Sequence, residues 1–97
     1  MRIELKKFGT TLISRQSGKE AFSAFQSSMA IVKPDEIIEI DFGGVITFSP
    51  SWGDEFLTPL LNHFGGRLIL LPTSNPSVKI TIKLLEDINK RNFTIKL

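Results

Sequence analysis

The stretch that most constrains this chain is residues 36–64, EIIEIDFGGVITFSPSWGDEFLTPLLNHF. It opens with Ile37, Ile38, Ile40 and Phe42, an apolar run of strand length with Asp41 near its end, broken by Gly43-Gly44. The adjacent Ile37 and Ile38 predict burial on both faces over 36–42, as in the middle of a sheet covered by helices. Val45 to Phe48 then leads into Ser49-Pro50-Ser51, where a helical pattern begins. At about 100° per residue, Phe56, Leu57, Leu60, Leu61 and Phe64 form one apolar stripe with Gly53 near its centre. A missing side chain there would let the helix approach the sheet closely. Ser51, Asp54, Thr58 and Asn62 fall on the wet side, and Trp52 at the border. Pro59 removes one backbone hydrogen bond, so the pattern predicts a single bent helix over about 51–63. A strand, a tight turn and a helix start bearing hydroxyls is a geometry that presents a modifiable group, and Ser51 is the candidate.

Around this centre the elements alternate. Ile3, Leu5 and Phe8 against Glu4 and Lys6 predict a half-buried strand over 2–8, at or near a sheet edge and ended by Gly9. Residues 10–14 offer a short second strand. Ser17-Gly-Lys-Glu20 has the form of a capping box, with Ala21, Phe22, Phe25, Ser28 and Met29 behind it, predicting a helix over about 18–31. Lys33-Pro34-Asp35 turns the chain. Gly65-Gly66 stops the central helix, and residues 67–71 read as a short apolar strand. Ser74 or Asn75 caps a third helix with Pro76 in its first turn, carried by Val78, Ile82, Leu85 and Ile88 to about Arg91. A strand over 77–83 is the rival reading there, and helix is preferred because 83–90 is helix-favouring. Residues 93–97 read as a last strand. The expected fold class is α/β: one domain with a mixed sheet of four to five strands, mixed because the first strand may run antiparallel, and about three helices against it.

Composition removes several kinds of chemistry. The chain has 97 residues, no Cys and one His, which excludes a disulfide framework, a thiolate metal site and a two-histidine site. Eight Phe against no Tyr point to aromatics used for packing. The net charge of +2 comes without a basic cluster beyond Lys6-Lys7 and Lys90-Arg91. The start, MRIELKKFG, lacks the apolar core of a signal peptide, and no window approaches eighteen apolar residues, so a soluble cytoplasmic protein is expected. Gly43-Gly44 lacks the spacing and lysine of a phosphate loop, and Ser51, Asp54 and His63 make no triad. The chain reads as non-catalytic, with no cofactor.

Asp41, Phe42, Val45 and Phe48 followed by the serines resemble the strand–turn–helix of STAS domains, the fold of bacterial anti-sigma factor antagonists. Ser49 stands where that family has Asp, Pro50 at its first Ser, Ser51 at its phosphorylated Ser, and Trp52 at its Gly. Asp41-Phe42-x-x-Val45, then Ser49-Pro50-Ser51-Trp52-x-Asp54-Glu55, is closer to a divergent branch of uncharacterised bacterial STAS-like domains. The resemblance implies a regulatory module that binds a protein partner, an ATPase of the histidine-kinase type or an anti-sigma factor, and that is switched by phosphorylation of Ser51. On that reading Ser49, Ser51, Trp52, Asp54, Glu55 and Asp41 form the contact surface. Plainer readings stand beside it: Ser49 and Ser51 as simple N-caps, Trp52 as a packed border residue, Asp41 as a residue that orients a loop, and Asp54 and Glu55 as acids favoured by the helix dipole. The competing function is a nucleic-acid-associated or structural module using Lys79, Lys83, Lys90 and Arg91.

Overall fold

The computed structural model describes residues 1–96. The chain runs β1 (Arg2–Glu4), a 3-10 turn (Leu5–Phe8), β2 (Thr11–Leu12), α1 (Arg15–Met29), β3 (Ile38–Asp41), β4 (Thr47–Phe48), α2 (Pro50–Phe64), a second 3-10 turn (Gly65–Arg67), β5 (Leu68–Leu70), α3 (Pro76–Asn89) and β6 (Thr94–Ile95). This is the α/β class expected. The main sheet has the order β1-β3-β5-β6, with β1 at an edge, and β2 pairs with β4 in a separate two-stranded ladder. Residue 97, placed by the sequence in the last strand, lies outside the described residues.

The sheet is wholly parallel rather than mixed. Arg2 lies opposite Glu39 and Glu4 opposite Asp41 in a parallel register, which corrects the expectation of an antiparallel first strand. A helical crossover carries the chain back to the end of the sheet where the previous strand began, so α1 sets the direction of β3. Strands that follow one another in chain order with right-handed crossovers also place their helices on one face. Burial follows that rule. Ile3, Ile38, Ile40, Leu68 and Leu70 are buried on the helix side. Ile37 is 43% exposed and Glu39 half-buried on the other face. Residues 36–42 are therefore covered on one side, not two. On the bare face Glu39 receives Lys96 at 3.1 Å and Arg2 at 3.8 Å.

The helices keep to the sequence reading at α2 and at the cap of α3, and depart from it at the start of α1 and at Ile88. Helix α1 starts three residues before Gly18, capped by Ser14, whose hydroxyl accepts the Ser17 N–H at 3.0 Å. Ser14 has the extended φ −89° and ψ 146° that a cap requires, whereas Ser17 lies inside the first turn, and Glu20 accepts from Gln16 instead. In α2 the helix continues unbroken through Pro59. In α3 Asn75 is the cap, accepting from Ser77 N at 2.9 Å and Val78 N at 3.3 Å, and the helix ends at Lys90 in a left-handed conformation. Ile88, counted as core from periodicity, is 60% exposed.

The helices meet at two glycines. A Cβ on Gly18 would sit 2.7 Å from the Trp52 carbonyl oxygen and 3.0 Å from its Cα, so α1 touches the backbone of α2 there. A Cβ on Gly53 would meet Leu85 at 3.1 Å and Phe48 at 3.2 Å, which joins α2 to α3 and β4. Gly18→Ala should lower stability by about 1–3 kcal/mol in urea unfolding, because backbone cannot yield as a flexible side chain does. Gly66→Ala, with nothing within 4 Å of the added Cβ, serves as the near-neutral control.

Candidate functional site

Helix α2 begins where β4 ends, and its first residue outside the strand is the cap. Ser49 Oγ accepts the Trp52 N–H at 3.2 Å and donates to the Ile13 carbonyl at 2.6 Å. One hydroxyl thus satisfies an orphan donor of the helix and ties α2 to the end of β2. Pro50 occupies the next position, where its missing N–H costs nothing. Ser51 follows, half-buried, in the first turn.

Trp52 is not at the surface. It is 0% exposed and stacks on Phe56 at a centroid distance of 5.0 Å, with Phe48 at 5.7 Å and Phe8 at 6.1 Å. Its place at the border of the α2 stripe becomes interior because α1 crosses at Gly18 and Phe8 folds over from the first 3-10 turn. Its indole N–H has no hydrogen-bond partner among the described residues, surrounded as it is by phenylalanine rings. Trp52 is a core residue, so its packed alternative holds and its assignment to the partner contact is corrected: it cannot serve as an interface anchor.

The acidic pair is engaged inside the chain. Arg15 Nη1 donates to Asp54 Oδ2 and to Glu55 Oε1, each at 3.0 Å. The hydrogen bond to Asp54 first, and that to Glu55 next, raise the pKa of the guanidinium above its ordinary value. Asp54 also accepts from the Thr58 hydroxyl at 3.0 Å, and Thr58 accepts from Asn89 Nδ2 at 3.2 Å. Further along, Asn62 accepts from Arg91 at 3.1 Å. A ladder of side-chain bonds therefore runs from α1 over α2 to α3. Of the wet face predicted for α2, Asp54, Thr58 and Asn62 are all bound to neighbours. Ser51 alone makes no side-chain hydrogen bond among the described residues.

Asp41 lies apart from this group in its bonding. Its Oδ1 accepts the Gly43 N–H at 2.8 Å and so shapes the turn after β3, where Gly44 has a φ of +85°. On the next loop Asn75 Nδ2 donates to the Val45 and Ile46 carbonyls at 2.9 and 3.0 Å, fixing the approach to β4. Sequence reasoning missed Arg15, whose partners lie about forty residues on, and nothing local signals it. It also missed the β2–β4 ladder, since two-residue strands carry no readable period.

Of the basic residues in the competing reading, Lys79 and Lys83 on α3 and Lys90 at its C-terminal cap are exposed. Lys83 pairs with Asp87 at 3.8 Å, and Arg91 is held at the end of α2 by Asn62 and the Leu61 carbonyl. His63 is exposed with Phe64 edge-on to its ring at 4.7 Å. Among the described residues no cluster of three or more His, Cys, Asp or Glu could hold a metal ion, and no helix is long and apolar enough to cross a membrane. Compared with protein-family models, curated proteins and solved structures, the chain matches none.

The two serines separate cleanly in what they do for the fold. Ser49→Ala removes the cap and the bond to Ile13 and should cost about 1–2 kcal/mol. Ser51→Ala removes no bond and should fall within about 0.5 kcal/mol of the wild type. Denaturant unfolding of both variants checks this difference.

Proposed function

We propose that this chain is a non-catalytic regulatory module of the STAS-like kind, which docks a protein partner at the first turn of α2 and is released when Ser51 is phosphorylated. The observation that carries the reading is the free hydroxyl of Ser51 beside the fully engaged Ser49, Asp54, Thr58 and Asn62. The fold needs the first serine and not the second. Among the described residues the Ser51 N–H also has no acceptor, while the neighbouring N–H groups of Trp52 and Gly53 bond to Ser49. A phosphoryl group would find that donor and the positive end of α2 next to it, a local gain of about 0.3–1 kcal/mol.

The partner is an ATPase of the histidine-kinase type or an anti-sigma factor, which places the encounter in the cytoplasm. In the switching step the Ser51 oxygen attacks the γ-phosphorus of the partner's ATP, ADP leaves, and the hydroxyl proton is lost. The product carries a charge of about −1.5 to −2. Pressed into a docked surface without a counter-charge, it costs several kcal/mol, on the order of a hundredfold or more in affinity. Arg15 does not offset that charge freely, since Asp54 and Glu55 already hold it. Apolar area for the contact comes from Ile13, which is 51% exposed and adjoins the cap through its carbonyl, in the place first given to Trp52.

Affinity capture from a bacterial lysate with wild type, Ser51→Ala and Ser51→Asp tests the proposal. Wild type and Ser51→Ala should retain the same partner, while Ser51→Asp loses it and only wild type is released by ATP. Equal retention by all three variants would reduce this helix start to a structural cap.

A further inference from the structure

Exposed aliphatic side chains are spread unevenly over the helices. The outward face of α1 is polar, with Gln16, Lys19, Glu20, Ser23, Gln26 and Ser27 exposed. The outward face of α3 carries Ile80, Leu84 and Ile88, which are 68%, 41% and 60% exposed. Their spacing of four residues puts them on one inclined ridge, each about 40° from the last around the helix. The buried side of α3 is already complete with Val78, Thr81, Ile82 and Leu85, so the ridge has no role in the core. A row of three exposed aliphatics on a helix marks a contact surface.

The charges on the flank identify the occupant. Lys83 and Asp87 lie together on the outer side of the ridge, with side chains 76% and 64% exposed and only 3.8 Å apart. Suppose two copies of α3 pack antiparallel about a two-fold axis. Each flank then meets its own copy, because the axis preserves that side. Interdigitation can set Leu84 of one chain between Ile80 and Leu84 of the other, which faces Lys83 with Lys83, or between Leu84 and Ile88, which centres the axis near position 85 and is the register the charges favour. Residues whose numbers sum to about 170 then face each other, and Lys83 lies opposite Asp87 of the second copy twice over. Both residues sit within about 3 Å of the axis along the helix, so the pairing survives any ordinary crossing angle. In a parallel arrangement the two-fold axis runs along the helices and carries this flank to the opposite edge of the contact, so Lys83 and Asp87 of the two copies would not meet. We infer that the Ile80–Leu84–Ile88 ridge docks a second copy of this chain in an antiparallel homodimer, latched by reciprocal Lys83–Asp87 pairs. The inference is independent of the role of Ser51.

Sedimentation equilibrium of the full chain from about 1 µM to about 1 mM is the test, with a dissociation constant expected in the micromolar range for so small an apolar core. Leu84→Glu, at a partly exposed position, should keep its helical circular dichroism and weaken self-association by a factor of about 100 or more. Lys83→Asp alone and Asp87→Lys alone should each weaken it about tenfold by setting like charges face to face. An equimolar mixture of those two variants should recover it as a heterodimer, since every pair is then opposite in sign. A wild type that is monomeric at the highest concentration, a dimer indifferent to Leu84→Glu, or a mixture that fails to recover would each overturn the proposal. Leu84-dependent binding of anionic phosphatidylserine vesicles by a chain that never self-associates would give the ridge to a membrane surface and overturn it as well.

Discussion

The rest of the structure depends on the approach of α1 to the first turn of α2, where Gly18 lies against the backbone of Trp52. Without a side chain at that crossing α1 comes into contact with the backbone of α2 at Trp52, whose side chain is wholly buried. Phe8, Phe48 and Phe56 pack against the indole. The result is an aromatic cluster in which Trp52, Phe48 and Phe56 are buried and Phe8 is half-buried, at the point where the sheet, the short ladder and the helices converge. Among the described residues the indole N–H has no acceptor, a cost of about 1–3 kcal/mol that the packing of this large side chain offsets.

That crossing also determines what the surface can present. By bringing the start of α1 alongside α2 it places Arg15 over Asp54 and Glu55, and the bonds pass on through Thr58 to Asn89. The outer face of α2 is thereby occupied by its own neighbours. Among the described residues, what remains unbound of the polar groups on this face is the hydroxyl of Ser51, which follows the cap at Ser49 without participating in it. A group that is well placed and structurally dispensable is suited to modification, and the proposed switch rests on that separation. The ridge on α3 is similarly surplus to folding, which is why it is read as an interface.

Legibility in the sequence followed the range of the interactions. Gly53 reads as a close-approach site from the helical stripe alone, and it is buried against Leu85 and Phe48. Asn75 with Pro76 reads as a helix start because capping is local chemistry, and residues 77–83 are helical as their continuity with 83–90 implied. The wheel of α2 places Trp52 at a border and leaves its burial open, because one helix contains no information on the neighbours that pack over it. The direction of β1 and the bare face of the sheet follow from connectivity, which local pattern does not encode. Ser14 was passed over for Ser17 because a serine followed three residues later by glutamate has the same spelling whether or not its backbone is extended.

The central claim is that the helix start divides into a buried, structural Trp52 and a separable Ser51. Trp52 is the only tryptophan in the chain, so its fluorescence reports on this site alone. Emission and acrylamide quenching should be recorded for the native wild type, native Ser51→Asp and the urea-unfolded chain. The account predicts blue-shifted, quencher-resistant emission that is the same in both native proteins and becomes water-like only on unfolding. Native emission already at the unfolded position, or a red shift on Ser51→Asp, would contradict it.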